Sequence, residues 1–345
     1  MTTQIYFPTL ANGPISWNWI TLIGPDAQDF LHRLTTVNLR QMTVGSGAPG
    51  CFLTAQGRIR SYFNLWNPAQ NQYAFEMDGG NSGKWKTDLL SIIDQYTFGE
   101  KITLEELTPS LKCAWIFPDE ATLARLSQAL PHLSPSETQY GFMTVGAPTN
   151  GTPLGIHICN HGQSTYGRPW LTVWGKPELL EQWISLHFPK LPMDLKTTSF
   201  AELESWRIQA VQPRVDSEIT DAANPLEIGL RGAIADNKGC YPGQEVIEKI
   251  VALGSPAKRL VRIEGIGAPP KAGDRVQAID PNTHQSGAEI GTVTTCIGIP
   301  NDPGTDIKFK ALALIRKTHA QEGINVGFLN YPKMRGVVVK IAPHA

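Results

Sequence analysis

The chain has 345 residues, 41% hydrophobic and 18% charged, with 30 Lys plus Arg against 31 Asp plus Glu for a formal net charge of -1. That length allows two or three domains, the composition excludes disorder and coiled coil, and the balanced charge supplies no field to hold a nucleic-acid backbone. The 32 Gly and 26 Pro describe a globular protein of many turns and short elements.

The first 25 residues carry no charged side chain, yet Pro8, Asn12, Pro14 and Asn18 interrupt the run and no Lys or Arg precedes it, unlike an export signal. No apolar stretch of about 18 residues suited to a bilayer follows. The expectation is a soluble protein of a reducing compartment, most simply the cytoplasm. Gly24-Pro25-Asp26 leads into Ala27, Phe30, Leu31 and Leu34 at i, i+3, i+4 and i+7, which predicts a short amphipathic helix. Cys51 to Thr54 and Arg58 to Trp66 flank Ala55-Gln56-Gly57, and Ile59, Phe63 and Leu65 alternate as in a hairpin. Trp85, Leu89, Ile92 and Ile93 predict a second helix, and Leu123, Leu126 and Leu130 a third.

The segment from about Gly146 to Pro169 is rich in Gly, Pro, Asn and His and reads as exposed connection. Within it, His157, Cys159 and His161 alternate. On a strand His157 and His161 would stand about 13 Å apart, too far to share one ion, so no metal is assigned. Pro177 to Leu186 and Phe200 to Val211 predict helices, and the acidic residues Glu202, Glu204, Asp216, Glu218, Asp221 and Glu227 that crowd this region read as a solvated face. From Lys258 the pattern becomes short β-like runs, 259–263, 288–296, 309–315 and 336–341, which predicts a small barrel or sandwich after a boundary near Gly254 to Ala257.

Five cysteines lie far apart with no C-x-x-C pair, so neither a disulfide framework nor a four-thiolate metal site is encoded. The densest segment is Lys238-Gly239-Cys240-Tyr241-Pro242-Gly243-Gln244-Glu245, followed by Val246, Ile247, Ile250 and Val251 at helical spacing. Pro242-Gly243 suits the centre of a type II turn. A thiolate at Cys240 would be stabilised by the start of the following helix and by Lys238 if that side chain folds back. The alternative is a buried cysteine chosen for packing. Among nine tryptophans, Trp17, Trp19, Trp66 and Trp206 could wall a planar heterocycle or simply fill the core.

Lys238 to Glu245 matches the K-G-C-Y-x-G-Q-E signature of the YgfZ-type folate-binding proteins, iron-sulfur cluster maturation relatives of the glycine cleavage system T-protein. Gly24-Pro25-Asp26 with Asp29-Phe30-Leu31, the hairpin from Leu53 to Ile59, and Pro225-Leu226-Glu227 extend the resemblance over nearly the whole chain. It implies an α+β fold of three domains in a ring: two interleaved folate-binding parts over residues 1–256 and a C-terminal β-barrel over 257–345. It also implies tetrahydrofolate or a derivative as cofactor, with Trp17, Trp206, Gln209, Tyr241, Gln244 and Glu245 around it, and Cys240 and Lys238 as the reactive pair. The T-protein relatives carry an Asp pair in a G-x-x-x-D-D pattern, where this chain has Ser61 and Tyr62. Neither bears negative charge at neutral pH, which argues against classical aminomethyl transfer. A Glu that meets the pterin edge in those relatives is here Gln209, which offers one acceptor and one donor.

The resulting expectation is a tetrahydrofolate-dependent accessory factor for iron-sulfur cluster assembly or repair, acting through Cys240 on client enzymes or with assembly proteins. No permanent metal, membrane or direct nucleic-acid partner is expected, and any effect on transfer-RNA modification would be indirect. A folate-dependent one-carbon transferase or demethylase, and a non-catalytic folate-binding scaffold, are the alternatives.

Overall fold

The computed structural model describes residues 2–8, 15–130, 140–145, 155–163, 165–188, 196–299 and 307–342. Its contacts divide the chain into two compact units: Met1–Leu53, Arg60–Phe200 and Ala233–Pro242 form one, and Thr54–Ile59, Ala201–Gly232 and Gly243–Ala345 the other. Among the described residues no helix is long and apolar enough to cross a membrane.

The first unit holds strands β1 (Gln4–Tyr6), β2 (Trp17–Ile23), β3 (Gly47–Leu53), β4 (Ile59–Ala69), β5 (Gln72–Asp78), β6 (Thr103–Glu106), β7 (Lys112–Phe117), β8 (Phe142–Val145), β9 (Ile156–Asn160), β10 (Leu171–Gly175) and β11 (Lys196–Thr197). They make a five-stranded sheet in the order β3-β4-β5-β2-β6 and a six-stranded sheet in the order β11-β1-β7-β10-β9-β8. The chain starts in the six-stranded sheet, builds the other, and returns, so the two parts interleave. Helices α1 (Ala27–Leu34), α2 (Lys84–Tyr96), α3 (Glu120–Ala129) and α4 (Pro177–His187) complete the unit. In α1 the spacing read from sequence holds: Ala27, Phe30, Leu31 and Leu34 are buried.

The period-2 pattern gives each sheet two distinct faces. On the six-stranded sheet, Ile5, Ala114, Ile116, Ile158, Leu171 and Val173 pack with Leu126, Leu180, Trp183 and Ile184 of the helices in an apolar cluster. The residues alternating with them are Cys113, Trp115, His157, Cys159, Thr172 and Trp174, set opposite one another in the strand register. They meet Trp17, Trp19, Trp66 and Glu76 of the five-stranded sheet. Trp19 stacks on the His157 ring at 5.4 Å between centroids and lies 5.5 Å from Trp174.

Glu76 is fully buried in this seam. Its Oε1 accepts hydrogen bonds from the indole N–H groups of Trp17 at 3.0 Å and Trp174 at 2.7 Å and from the Thr172 hydroxyl. Its Oε2 accepts from the Trp66 indole at 2.9 Å and faces His161 Nε2 at 3.2 Å. Burial alone would push the carboxyl up, but His161 and the hydrogen bonds from Thr172 and Trp174 outweigh it and hold the group below its ordinary value of 4.5.

Two expectations are corrected here. The connection read as exposed over 146–169 contains a buried strand: Ile156 to Asn160 are all inside and His161 is 1% exposed, while Gln163 and Gly167 in the turns beyond are exposed. Residues 146–154 and 164 lie outside the described set. The His and Asn content that signalled a loop instead serves polar contacts in the seam, where His157 Nδ1 pairs with the Thr144 hydroxyl at 3.0 Å.

In the second unit, α5 (Phe200–Ala210) and α6 (Gln244–Ala252) accompany a closed barrel of β12 (Lys258–Ile266), β13 (Arg275–Ile279), β14 (Ser286–Ile299), β15 (Lys308–Arg316), β16 (Asn325–Phe328) and β17 (Tyr331–Ile341), in the order β12-β15-β14-β13-β16-β17. Val261, Ile263, Val276, Val293, Phe309, Ala311 and Val338 fill it. The solvated acidic face expected around 202–227 holds for the exposed Asp216 and Asp221 and is corrected at two other positions. Glu204 and Glu218 are buried, each bonded to the buried Arg207 guanidinium at 2.8 and 2.9 Å, and Glu218 further accepts from the Thr295 hydroxyl of β14 at 2.6 Å. An Arg fork demands such carboxylates when it is taken out of water.

Glu76→Gln is expected to destabilise the protein by about 3–5 kcal/mol, because an amide cannot accept from so many donors at once. The carboxyl sits below its unfolded value, so its contribution is complete above pH 4.5 and is lost as the pH falls through the lower folded-state value. Urea unfolding midpoints should therefore drop more steeply below that pH in the wild type than in Glu76→Gln.

Candidate functional site

The signature is shared between the two units: Lys238 to Pro242 closes in the first, and Gly243 to Glu245 opens α6 in the second. In the first unit the segment is tied to α1. Ala235 N–H donates to Thr36 O at 3.0 Å, and the Thr36 hydroxyl donates to Ala233 O at 2.6 Å. Lys238 is buried, and its ammonium donates to the backbone carbonyls of His32 and Thr35, the latter at 2.7 Å. These carbonyls end α1, where the helix dipole is negative and a cation is favoured. The same ammonium lies 4.8 Å over the ring of Tyr241, which is itself 9% exposed.

Lys238 thus anchors the loop from both sides while Cys240 between them is exposed. Burial pushes the lysine down to about 8, the charge of Cys240 opposing that shift and Arg40 adding to it. The side chain that would stabilise the thiolate if it folded back is fixed instead on the His32 and Thr35 carbonyls.

The other cysteines differ sharply. Cys51, Cys113 and Cys159 are buried, and burial raises each thiol. Cys296 is half-buried and pushed up to about 12, by burial first and then by Asp274. Exposure singles out Cys240 as the accessible thiol.

In the second unit Gly243 has φ +82°, and a Cβ there would meet the Thr54 carbonyl oxygen at 2.4 Å, so this turn position requires glycine. The hairpin turn is built against the same region: Asn224 donates to Gly57 O at 3.0 Å, and Arg58 donates to Ala222 O at 2.7 Å and pairs with Glu227 at 3.7 Å. Gln244 bonds Glu248 one turn along α6, while Glu245 is exposed in the first turn, where an acid suits the dipole. Trp206 is half-buried on α5. Gln209 is exposed, its Oε1 accepting from Lys310 at 2.6 Å and its backbone carbonyl accepting from Arg262.

Of the residues assigned from sequence, Lys238, Cys240 and Tyr241 come together in one loop. Trp17 belongs to the seam, its N–H committed to Glu76, and Trp19 and Trp66 are core walls around the same carboxylate. Ser61 is fully buried, and its hydroxyl donates to Trp85 O at 3.4 Å; the Tyr62 phenol is raised by burial. No carboxylate occupies either position. Sequence reasoning missed Glu76 and His32, and weighed His161 only as a metal ligand. A signal for Glu76 was present: it is an acid on an otherwise inward-facing strand, in a chain with unusually many indole donors.

This arrangement of interleaved sheets and a six-stranded barrel defines the aminomethyltransferase-type fold of the T-protein. The crystal structure of glycine cleavage system aminomethyltransferase T from Bartonella henselae matches with a TM-score of 0.74, covering 100% of this chain and 85% of that one at 17% identity. By sequence, the chain is 24% identical over 295 residues to a chloroplastic Arabidopsis thaliana protein named as a transferase, covering 83% of this chain and 61% of the relative. It is also 24% identical over 262 residues to a mitochondrial iron-sulfur cluster assembly factor IBA57 homolog of Chaetomium globosum, covering 70% and 53%. The chain therefore spans between about half and two thirds of the length of these curated relatives. No family model matches it. The chain is thus similar in fold to the T-protein, and in sequence to a protein named as a transferase and to an iron-sulfur cluster assembly factor homolog.

Iodoacetamide at neutral pH should label one fast site, at least about tenfold faster than any other, and Cys240→Ala should abolish it. Gly243→Ala should lower stability by more than about 1 kcal/mol in thermal or urea unfolding. Gly239→Ala should be tolerated, because its Cβ would make only an ordinary 3.5 Å contact.

Proposed function

We propose that this protein is an accessory factor for iron-sulfur cluster assembly or repair whose working group is the Cys240 thiol. The observation that carries the reading is the loop itself: an exposed cysteine between a buried lysine and a packed tyrosine, in a chain whose other thiols are buried or half-buried with raised pKa. The likeness to the fungal assembly factor supports the same reading. The thiolate of such a cysteine can ligate a soft metal centre carried as cargo and give it up by ligand exchange when a thiolate of the client enzyme takes its place. Cytoplasmic location, and client enzymes or assembly proteins as partners, belong to the same proposal.

Tetrahydrofolate or a derivative is the small molecule proposed for the T-protein-like region, on the strength of the fold and the signature. The residues assigned to it fit only in part. The Oε1 of Gln209 is taken by Lys310 and the N–H of Trp17 by Glu76, so neither offers its polar group unencumbered to a pterin edge. The role of the thiol stands without any folate step. Aminomethyl transfer as a second reading is disfavoured by the neutral, buried Ser61 and the raised Tyr62.

Complementation of a strain lacking its own family member tests the proposal. The wild type should restore activity of an iron-sulfur client enzyme, and folded Cys240→Ala should leave it at the level of the empty vector. Equal rescue by both would remove the thiol from the function.

A further inference from the structure

We propose that His32 is a positioning residue for Cys240: its Nε2 edge lies against Gly239, the residue before the thiol, and presents an N–H that favours a negatively charged sulfur, or a small anionic group carried on that sulfur, at the tip of the loop. The inference deepens the functional reading above and rests on Cys240 being the working thiol.

His32 occupies the last turn of α1 and is 6% exposed. A Cβ on Gly239 would meet its Nε2 at 3.5 Å, closer than any other neighbour. The opposite ring nitrogen, Nδ1, is buried and has no hydrogen-bond partner. A neutral imidazole carries one proton, and burying an N–H without an acceptor costs more than burying a lone pair. The proton therefore resides on Nε2, on the loop side.

The groups facing the ring keep it neutral. Burial holds its pKa below the ordinary histidine value, Lys238 from the loop and Arg40 from the turn after α1 add to that effect, and Asp29 of α1 itself opposes them. Lys238 in turn is fixed by the carbonyls of His32 and Thr35. One short helix end thus supplies both a seated cation and a neutral donor to the same loop. Two positive groups there would repel one another, whereas a cation and a dipole combine to favour an anion.

The test is the rate of iodoacetamide alkylation at Cys240, read by mass spectrometry from about pH 5.5 to about pH 9.5, for wild type, His32→Gln and His32→Leu. Gln carries an amide nitrogen to the place of Nε2 and keeps a donor that does not titrate; Leu fills space and donates nothing. His32→Leu should move the midpoint of the rate profile up by about 0.5–1 pH unit and slow alkylation at pH 7 about three- to tenfold. His32→Gln should stay within about twofold of wild type. Thermal unfolding establishes that the variants are folded. If His32→Leu does not fold, His32→Asn, whose amide nitrogen stops at the Nδ1 position, should show the upward shift that Gln lacks.

A folded donor-less variant with the wild-type midpoint, or a Gln variant shifted as far as Leu, would overturn the inference. Such a result alongside continued dependence of client rescue on Cys240 removes only the role of His32. Rescue by Cys240→Ala with the midpoint shift intact removes only the functional reading.

Discussion

The first unit depends on one ionised group taken wholly out of water. A carboxylate in that position is costly unless its lone pairs are met, and Glu76 is met by three indoles, a hydroxyl and an imidazole. These donors come from β2, β4 and β10 and from the residue just after β9, so the carboxylate fixes how the two sheets register. Apolar packing alone tolerates sliding; a hydrogen-bonded hub of this kind does not. The aromatic content of the chain follows from this constraint, since indole combines a large apolar body with a single donor.

The second unit repeats the solution with opposite sign. There the buried ion is Arg207, and Glu204, Glu218 and Thr295 satisfy it, tying α5 to the barrel strand β14. The reactive loop follows a third variant of the rule. Lys238 is a buried cation satisfied by carbonyls and an aromatic face, which leaves its neighbour Cys240 exposed without a partner fixing it. These three buried ions each order the segment around them.

Much of this was legible in the sequence where local physics decides. The turn at Gly24 to Asp26 and the spacing that follows specify α1, and the alternation after Lys258 specifies barrel strands, though β13 and β16 escaped because they are short and interrupted. The motif from Lys238 to Glu245 exposed the loop because each residue has a local reason to be there, with Gly243 forced by the Thr54 carbonyl. What remained hidden was long-range. Nothing near His161 in the chain announces Glu76, and nothing near Glu218 announces Thr295, 77 residues on; polar residues without visible partners read as surface. The destination of Lys238 was hidden on the same ground: its carbonyl acceptors lie more than 200 residues away in sequence.

The seam also gives the molecule an uneven optical character. Eight of the nine tryptophans belong to the first unit, and none follows Trp206, so the barrel from Lys258 onward contains no indole. Trp170 stacks on His161 at 3.9 Å, and Trp17, Trp66 and Trp174 share one carboxylate. Intrinsic fluorescence of this protein is therefore almost entirely a report on the interleaved sheets, with imidazole as a built-in quencher. Loss of barrel structure would pass nearly unseen in it, and the two units can be told apart by light without any added label.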